Sequence, residues 1–333
     1  MKSPRKKLLG LRLPRVPKMP RYLIIISWVI GLALFAGLLF VLLRGQTFDV
    51  LQTKGQVGDR QRDLLLFATG LAVLVLLPVY IMLFGFAWRY RAGHRRAYTP
   101  NWDSDKRYEA IWWGIPILII IVLAGVTWTT SHTLDPKTAL ASDKTPLKVQ
   151  VIALQWKWLF IYPDQEVASV NELTIPVGRP VQFSITADAP MNSFWIPQLG
   201  GQIYAMSGMT TTLNLVADHA GTYRGMSSNI SGKGFADMHF MARAVSAQQF
   251  SDWTASIHRH ESSKDLTMAA YTELARPGTG GVQYYHLHDS NIFDDVIMKY
   301  MGHQTMQSTD SSSSSSSDQA TSHADHTDHM EGM

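Results

Sequence analysis

Three long apolar segments dominate the first 130 residues of the chain. Residues 22–43, 64–88 and 111–130 contain no Lys, Arg, Asp or Glu. At about 1.5 Å of rise per residue, each segment forms a helix of about 30 Å or more, which crosses a bilayer core of about 30 Å. Pro78 and Pro116 lie inside the second and third segments, and membrane helices tolerate internal prolines. The pattern therefore predicts transmembrane helices at 64–88 and 111–130, preceded by a further apolar segment at 22–43.

The basic residues beside these segments predict their orientation. Residues 1–21 carry eight basic and no acidic residues, and the loop at 89–110 carries six basic against three acidic residues. The loop at 44–63 is nearly balanced, with four basic and three acidic residues. Because cytoplasmic loops are enriched in Lys and Arg, the N-terminus and the 89–110 loop are predicted to be cytoplasmic. Residues 44–63 and everything after residue 130 are then predicted to lie on the outer side.

The 22–43 segment has two interpretations. A basic region followed by an apolar stretch is typical of a cleaved secretory signal and also of a retained signal anchor. The segment is long for a cleaved signal, and the sequence from Val41 to Gln46 lacks a small-x-small cleavage site. The signal anchor is therefore favoured, and either interpretation leaves the C-terminal part outside.

Residues 131–245 have the pattern of a β-domain. The segment from Lys148 to Tyr162 alternates, which predicts one strand with the aromatic residues Trp156 and Trp158 on the same face. Further short apolar runs follow, separated by turns that contain Gly and Pro. Short strands at this spacing are typical of a Greek-key β-sandwich.

A helical period returns after the β-domain. Within residues 246–306 it predicts helices at Ser246–His258, Leu266–Leu274 and Asn291–Met301. Residues 307–333 are a run of Ser followed by His, Asp and Met, which is typical of a disordered tail.

Charge and composition limit the chemistry that the chain can carry. The whole chain has a net charge of +4, but residues 131–333 contain 12 basic and 20 acidic residues, a net charge of −8. An acidic outer domain gives no support to nucleic-acid binding. The absence of cysteine excludes disulfides, thiolate metal sites and cysteine nucleophiles. The sequence also lacks a Gly-rich phosphate loop, a nucleophile elbow and a zinc-protease helix motif.

Six motifs along the chain together resemble one protein family. In chain order they are Lys54-Gly-Gln-Val-Gly58, Asn101-Trp102, Tyr108-Glu-Ala-Ile-Trp-Trp113, Gln155-Trp-Lys-Trp158, Pro190-Met-Asn-Ser-Phe-Trp-Ile-Pro197 and Gly225–Met238. Their order resembles subunit II of the haem–copper terminal oxidases, and especially the bo-type ubiquinol oxidase subunit II. The resemblance implies an α+β membrane protein of the bacterial inner membrane, with a transmembrane helical hairpin followed by a periplasmic, cupredoxin-like Greek-key sandwich and C-terminal helices.

Family members that oxidise cytochrome c hold a dinuclear copper centre in this sandwich. Their ligand pattern is a His before a Ser-Phe segment, followed by Cys-x-Glu-x-Cys-x-x-x-His-x-x-Met, and soft thiolates bridge the two coppers. At the corresponding positions this chain has Asn192, Ser227, Asn229, Ser231, Phe235 and Met238. Only Met238 keeps the family's ligand type. The resemblance therefore implies a cupredoxin-like domain without copper.

The lost ligands indicate the electron donor. Without a copper centre to accept electrons from cytochrome c, electrons enter the catalytic subunit directly, as ubiquinol in the membrane allows. The resemblance implies a non-metallated structural and assembly subunit of a proton-pumping ubiquinol oxidase, with no cofactor in this chain and with haem and copper in partner subunit I. Subunits III and IV, membrane lipid and quinol are the other implied partners. Trp156 aligns with the family's electron-entry tryptophan and is interpreted here as a packed aromatic residue.

Two single positions carry further expectations from the family. Glu109 precedes the third apolar segment, where family members have a glutamate at the mouth of a proton pathway into subunit I. A carboxylate at a helix N-terminus is favourable with the helix dipole, so Glu109 is either a proton-entry residue or a solvated acid near Arg107. Gln46 stands where the bo-type relatives carry a lipid-attached cysteine, so lipidation at this position is excluded.

Histidine pairs raise the question of a metal site. The candidates are His258 and His260, His286 and His288, and the His and Met residues of the tail. A functional metal site needs a third ligand in a fixed position. Nothing in the tail sequence would hold such a ligand in place, so no metal site is predicted. Two alternative functions remain open: a membrane-anchored periplasmic copper carrier, and a cytochrome c oxidase subunit II with an unorthodox copper site.

Overall fold

The computed structural model describes residues 48–91, 105–259 and 263–301, together with single positions between 26 and 44. The chain divides into two compact units, Met1–Phe48 and Asp49–Met333. In the first unit, the described positions from 26 to 41 are helical. Gln46, His260 and the 307–333 tail lie outside the described residues. All the elements below belong to the second unit.

Two long helices open this unit, α1 (Gln56–Arg89) and α2 (Lys106–Thr133). Both are apolar and long enough to cross a membrane, with mean hydropathy of 2.6 and 2.3 in their most apolar windows. Each helix extends beyond its charge-free segment at both ends. The start of α2 is capped by Asp105, whose carboxylate accepts a hydrogen bond from the Arg107 backbone N–H at 2.9 Å.

The remaining elements form a two-sheet sandwich with a C-terminal extension. The strands of the sandwich are β1 (Leu147–Leu154), β2 (Lys157–Tyr162), β3 (Val167–Val170), β4 (Glu172–Pro176), β5 (Val181–Ala187), β6 (Asn192–Trp195), β7 (Ile203–Ala205), β8 (Thr211–Leu215), β9 (Gly221–Ser227) and β10 (His239–Val245). The extension contains α3 (Ala247–Arg259), β11 (Lys264–Leu266), α4 (Met268–Leu274), β12 (Gln283–Leu287) and α5, which comprises residues 292–301. One sheet has the order β11-β12-β3-β2-β1-β5-β8, and the other has the order β4-β10-β9-β6-β7.

The segment predicted as one alternating strand is in fact a hairpin. β1 ends at Leu154, which pairs with Lys157 at the start of β2. Trp156 lies in the turn between them with a φ of 72°, so the prediction that it sits on a strand was wrong. Trp158, which is in β2, does lie on a strand. Polar and aromatic residues happen to alternate through the turn, and the pattern therefore concealed it.

The sheet that contains β1 and β2 is buried on both faces. Trp158 and Phe160 belong to the core between the sheets, whereas Leu159 and Ile161 belong to a second apolar cluster on the opposite face. The second cluster is completed by residues of the C-terminal extension, which are Leu266, Tyr271, Leu274, Tyr285, Ile292, Phe293 and Val296. The extension was predicted as helical, but it also adds β11 and β12 to the edge of this sheet.

The start of α1 lies directly against the backbone of the sandwich. The Gly58 N–H donates a hydrogen bond to the Leu199 carbonyl at 3.0 Å. A Cβ atom on Gly55 would lie 2.2 Å from the Val216 carbonyl oxygen, so no larger residue fits there without movement. Close backbone approach is thus the physical reason for the two glycines of the Lys54–Gly58 motif.

Candidate functional site

Two of the six positions that correspond to copper ligands bond to each other. Asn192 begins β6 and Ser227 ends β9, and these strands pair antiparallel. The Ser227 hydroxyl donates a hydrogen bond to Asn192 Oδ1 at 2.7 Å. Both residues are buried, with 0% of Asn192 and 5% of Ser227 exposed. A buried polar pair that satisfies itself stabilises this end of the sandwich without needing a ligand.

The loop after β9 carries the next two positions. The Asn229 side-chain amide donates to the Met191 carbonyl at 2.9 Å, which ties the loop to the start of β6. The Ser231 carbonyl accepts from the indole N–H of Trp156 at 3.2 Å. In contrast, the Ser231 hydroxyl oxygen is buried without a hydrogen-bond partner. The two serines at the cysteine positions therefore have different surroundings.

Trp156 packs against the same loop. A Cβ atom on Gly234 would lie 2.4 Å from Cδ2 of the indole, so the loop backbone lies flat against the ring. Since Trp156 also donates its N–H to this loop, its contacts are those of a packing residue. The interpretation of Trp156 as a packed aromatic residue stays a prediction, and its position in a turn was not foreseen.

The last two positions enter the fold in different ways. Phe235 begins a short 3₁₀ turn, Phe235–Asp237, and is half-buried. Met238 is 2% exposed and belongs to the core between the sheets. Its backbone carbonyl also accepts a hydrogen bond from the Ser227 N–H at 3.1 Å.

The residues at these six positions do not fit a dinuclear copper centre. Serine hydroxyls are hard ligands that stay protonated near neutral pH, the Asn side chains are neutral amides, and Phe235 has no donor atom. Among residues 48–91, 105–259 and 263–301, no cluster of three or more His, Asp or Glu side chains is placed to hold a metal ion.

The structure brings together one histidine from each of the two pairs considered above. The rings of His258 on α3 and His286 on β12 have centroids 5.6 Å apart. His258 Nε2 also lies 3.0 Å from the Gln165 carbonyl oxygen. His288 is exposed. Within the described part of the chain, the pair has no third ligand beside it.

Glu109 lies in the first turn of α2 and is half-buried. Its carboxylate forms no ion pair or hydrogen bond with any described residue, including Arg107. The residues before it, 92–104, lie outside the described part. Its proton-entry role stays a prediction.

Asp188, which no sequence pattern identified, is the centre of a polar cluster beside the C-terminal extension. Its carboxylate accepts hydrogen bonds from the Tyr271 hydroxyl at 2.8 Å, the Tyr300 hydroxyl at 2.6 Å and Lys299 Nζ at 2.7 Å. Burial raises the pKa of Asp188, but the hydrogen bonds from Lys299, Tyr300 and Tyr271 lower it more, so the pKa lies below its usual value. The aromatic residues of the extension were the available signal, but nothing marked their acidic partner.

Lys157 is a second buried contact between the sandwich and the extension. Lys157 is only 8% exposed, and its Nζ donates to the carbonyls of Leu274 at 2.7 Å and Arg276 at 3.0 Å. These are carbonyls at the C-terminal end of α4, where a cation is favourable. Burial lowers the pKa of Lys157. The Gln155–Trp158 motif therefore supports the extension on one side and the 228–238 loop on the other.

Comparison with known proteins finds two family matches, one in the sandwich and one in the C-terminal extension. The family described as cytochrome c oxidase subunit II, periplasmic domain, matches residues 166–245, and the COX aromatic rich motif matches residues 260–304. The aromatic rich motif covers the Tyr271 and Tyr300 partners of Asp188. The match also covers β11 and β12, the strands that the sequence pattern did not predict.

Relatives that match about four fifths of the chain are found among quinol oxidases. The cytochrome bo(3) ubiquinol oxidase subunit 2 of Pseudomonas putida is 47% identical over 82% of this chain and 86% of its own length. The ubiquinol oxidase subunit 2 of Acetobacter aceti is 42% identical, covering 81% and 88%, respectively. The quinol oxidase subunit 2 of Bacillus subtilis is 36% identical, covering 79% and 80%. These matches confirm the predicted family and fold class and give no support to the copper-carrier alternative. The chain therefore belongs to the ubiquinol oxidase subunit 2 family.

Proposed function

We propose that this chain is a metal-free structural and assembly subunit of a proton-pumping ubiquinol oxidase in the bacterial inner membrane. The observation that carries the proposal is the buried Ser227–Asn192 hydrogen bond at positions where copper-bearing relatives need ligands. Because this chain offers no acceptor for an electron from cytochrome c, ubiquinol delivers electrons directly to partner subunit I. Haem and copper held by that subunit would supply the chemistry for the reduction of dioxygen to water.

The exposed surfaces of the helices support an assembly role. Trp112, Trp113 and Leu118 on α2 are each more than 60% exposed, and so are Leu74 and Ile81 on α1. Side chains of this kind pack against lipid or against other membrane helices. We assign one flank of this surface to subunit I, with subunits III and IV as further members of the complex. The sandwich then covers the periplasmic face of subunit I.

The composition of the purified complex tests the main proposal. The complex is captured through this chain in mild detergent, and its polypeptides, haem, copper and optical spectrum are measured. We expect a large haem-bearing subunit, a single copper per complex and no near-infrared band of a mixed-valence copper pair. Additional coppers together with that band would contradict the proposal and would indicate cytochrome c as the electron donor.

We assign Glu109 to the entrance of a proton-uptake pathway that leads into subunit I. The support is its place in the first turn of α2, half-buried and without an ion-pair partner among the described residues. An acidic side chain in the first turn of a helix also interacts favourably with the helix dipole, and from this position it can collect protons from cytoplasmic water.

A pair of substitutions tests the proton role. Glu109→Gln in the assembled oxidase should slow proton-coupled turnover severalfold while leaving the haem content unchanged. Asp105→Asn is the matched control, because it removes a neighbouring charge and Asn is also a good N-cap residue. Turnover and proton translocation are measured in vesicles. If the Glu109→Gln oxidase behaves like the control, the assignment is wrong.

A further inference from the structure

A cavity of about 370 Å³ lies where the outer ends of both membrane helices meet the sandwich. Residues of α1, of the segment after α2 and of the sandwich line it, and the polar ones include Gln56, Arg60, Gln61, His132, Asp135 and Asn214. Its size is within the range of small-molecule sites in proteins, roughly 300–1,000 Å³. No step of the proposed oxidase function uses this cavity.

The ends of the charge-free segments indicate that the cavity lies at the depth of phospholipid headgroups. Arg60 precedes Leu64, the first residue of the charge-free segment of α1, by about 6 Å along the helix axis. On the other helix, His132 follows Thr130, the last residue of the charge-free segment of α2. Below the cavity both helices expose apolar side chains, such as Leu66 at 53% and Trp128 at 70%.

Arg60 provides an unpaired positive charge at this depth. Arg62, two residues further along α1, contacts Asp59 at 3.2 Å and Asp63 at 3.0 Å. The Arg60 guanidinium forms no ion pair or hydrogen bond with any described residue. A guanidinium beside an apolar phase matches a phosphate group, which it binds through two parallel hydrogen bonds. The side-chain amides of Gln56 and Gln61 also have no hydrogen-bond partner among the described residues and can contribute further donors.

Asp135 adds a negative charge to the same cavity. One of its carboxylate oxygens accepts from the Lys137 N–H at 3.0 Å, which fixes the side chain. Its carboxylate has no ion-pair partner among the described residues. One cation and one anion in a single cavity match a ligand that carries both a phosphate and an amine. Such a pair distinguishes a zwitterionic headgroup from a purely anionic one.

We propose that this cavity binds the headgroup of an amine-bearing phospholipid, with the phosphate at Arg60 and the amine at Asp135. The acyl chains then follow the exposed apolar sides of α1 and α2 into the bilayer. The lipid connects the sandwich to both membrane helices at the point where their polar and apolar surfaces meet. This inference needs only a membrane-embedded chain and is independent of the quinol and proton proposals.

Lipid retention by the assembled complex tests the proposal. The full-length chain is purified with its partners, depleted of lipid by detergent washing, and incubated with phosphatidylethanolamine or phosphatidylglycerol vesicles. Retained lipids are then counted by native mass spectrometry. Arg60→Gln should retain the specific phosphatidylethanolamine roughly tenfold less well, as for the loss of one charge-assisted contact. Arg224→Gln, which removes an exposed charge on β9, is the matched control and should retain lipid like the wild type.

Two further measurements separate lipid from other sources of the same chemistry. Asp135→Asn keeps the acceptor for the Lys137 N–H but removes the charge, so it should abolish the preference for phosphatidylethanolamine over phosphatidylglycerol. Inorganic phosphate at the lipid concentration should not displace the retained lipid. Equal retention by Arg60→Gln and wild type would overturn the site, an unchanged preference in Asp135→Asn would overturn the amine contact, and displacement by phosphate would identify a free-phosphate site instead.

Discussion

The sandwich buries the same large aromatic side chains that the membrane helices expose. Trp158 and Phe194 in the sandwich are fully buried, whereas Trp113 on α2 is 68% exposed and Trp128 is 70% exposed. In water, removal of apolar surface drives such residues inside. In a bilayer the solvent is as apolar as the side chain, so exposure costs nothing and packing is left to partner helices. The stability of the sandwich is therefore set within the chain, and that of the helices within the membrane and the complex.

A pair of tryptophan substitutions tests this difference with the largest expected effect. Trp158→Ala removes a ring that contacts Phe194 and Phe240 edge-on, at centroid distances of 5.4 and 5.8 Å. It should lower the free energy of unfolding of the sandwich by about 3–5 kcal/mol. Trp113→Ala should leave that free energy unchanged and weaken assembly with partner subunits. Denaturant unfolding of the solubilised chain, followed by near-UV circular dichroism, measures the free energy of unfolding of both variants. Equal losses for the two variants would contradict the comparison.

Glycine substitutions make the same comparison by adding atoms instead of removing them. A Cβ on Gly225 in β9 would lie 2.1 Å from Cζ of Phe240, which is itself stacked on Phe194 at 5.2 Å. Gly225→Ala should therefore destabilise the sandwich by about 1–3 kcal/mol through overpacking. A Cβ on Gly70 in α1 would meet no atom within 4 Å. Gly70→Ala should leave sandwich unfolding unchanged, and a destabilised sandwich in that variant would show that α1 contacts it more widely than the structure indicates.

The Asp188 cluster tests how firmly the C-terminal extension is attached. Asp188→Asn keeps the shape of the side chain but removes the charge that accepts from Lys299 and two tyrosines, and should cost about 1–3 kcal/mol. The loss should be local, with faster hydrogen exchange in residues 292–301 than in β1 or β2. Uniformly faster exchange across the sandwich would show that the extension and the sandwich unfold together.

The same cluster predicts a dependence on pH. Because the folded pKa of Asp188 is below its usual value of about 3.9, its contribution is fully present above that value. The contribution is lost as the pH falls from about 3.9 through the lowered folded pKa. Hydrogen exchange in residues 292–301 of the wild type should therefore rise relative to that of the sandwich strands in this acidic range. In Asp188→Asn the relative rate should no longer change there, and a persisting change would assign the titration to another group.

Sequence patterns predicted the two regions unequally, for physical reasons. The apolar parts of α1 and α2 could be found because a bilayer requires long charge-free segments. At the polar start of α1, the Gly58 backbone N–H bonds to the Leu199 carbonyl of the sandwich, and a hydropathy pattern cannot show this contact. The Asp188–Tyr300 contact joins positions 112 residues apart, and a one-dimensional pattern cannot show it. The copper-ligand positions were placed by family resemblance, yet only the pairing of β6 with β9 shows that two of them bond to each other.

Two serines stand at the cysteine positions, and substituting one of them, Ser231, gives the smallest predicted effect. The pair sharpens the comparison within the sandwich itself. Ser227→Ala removes the donor to a buried Asn192 oxygen and should cost about 1–3 kcal/mol, because that oxygen is left without a partner. Ser231→Ala removes a buried hydroxyl that has no partner, so it should be neutral or slightly stabilising. Denaturant unfolding of the two variants measures the difference. If both substitutions cost the same, the end of the sandwich is not held by the Ser227–Asn192 bond, and the argument that this bond takes the place of a metal would fail with it.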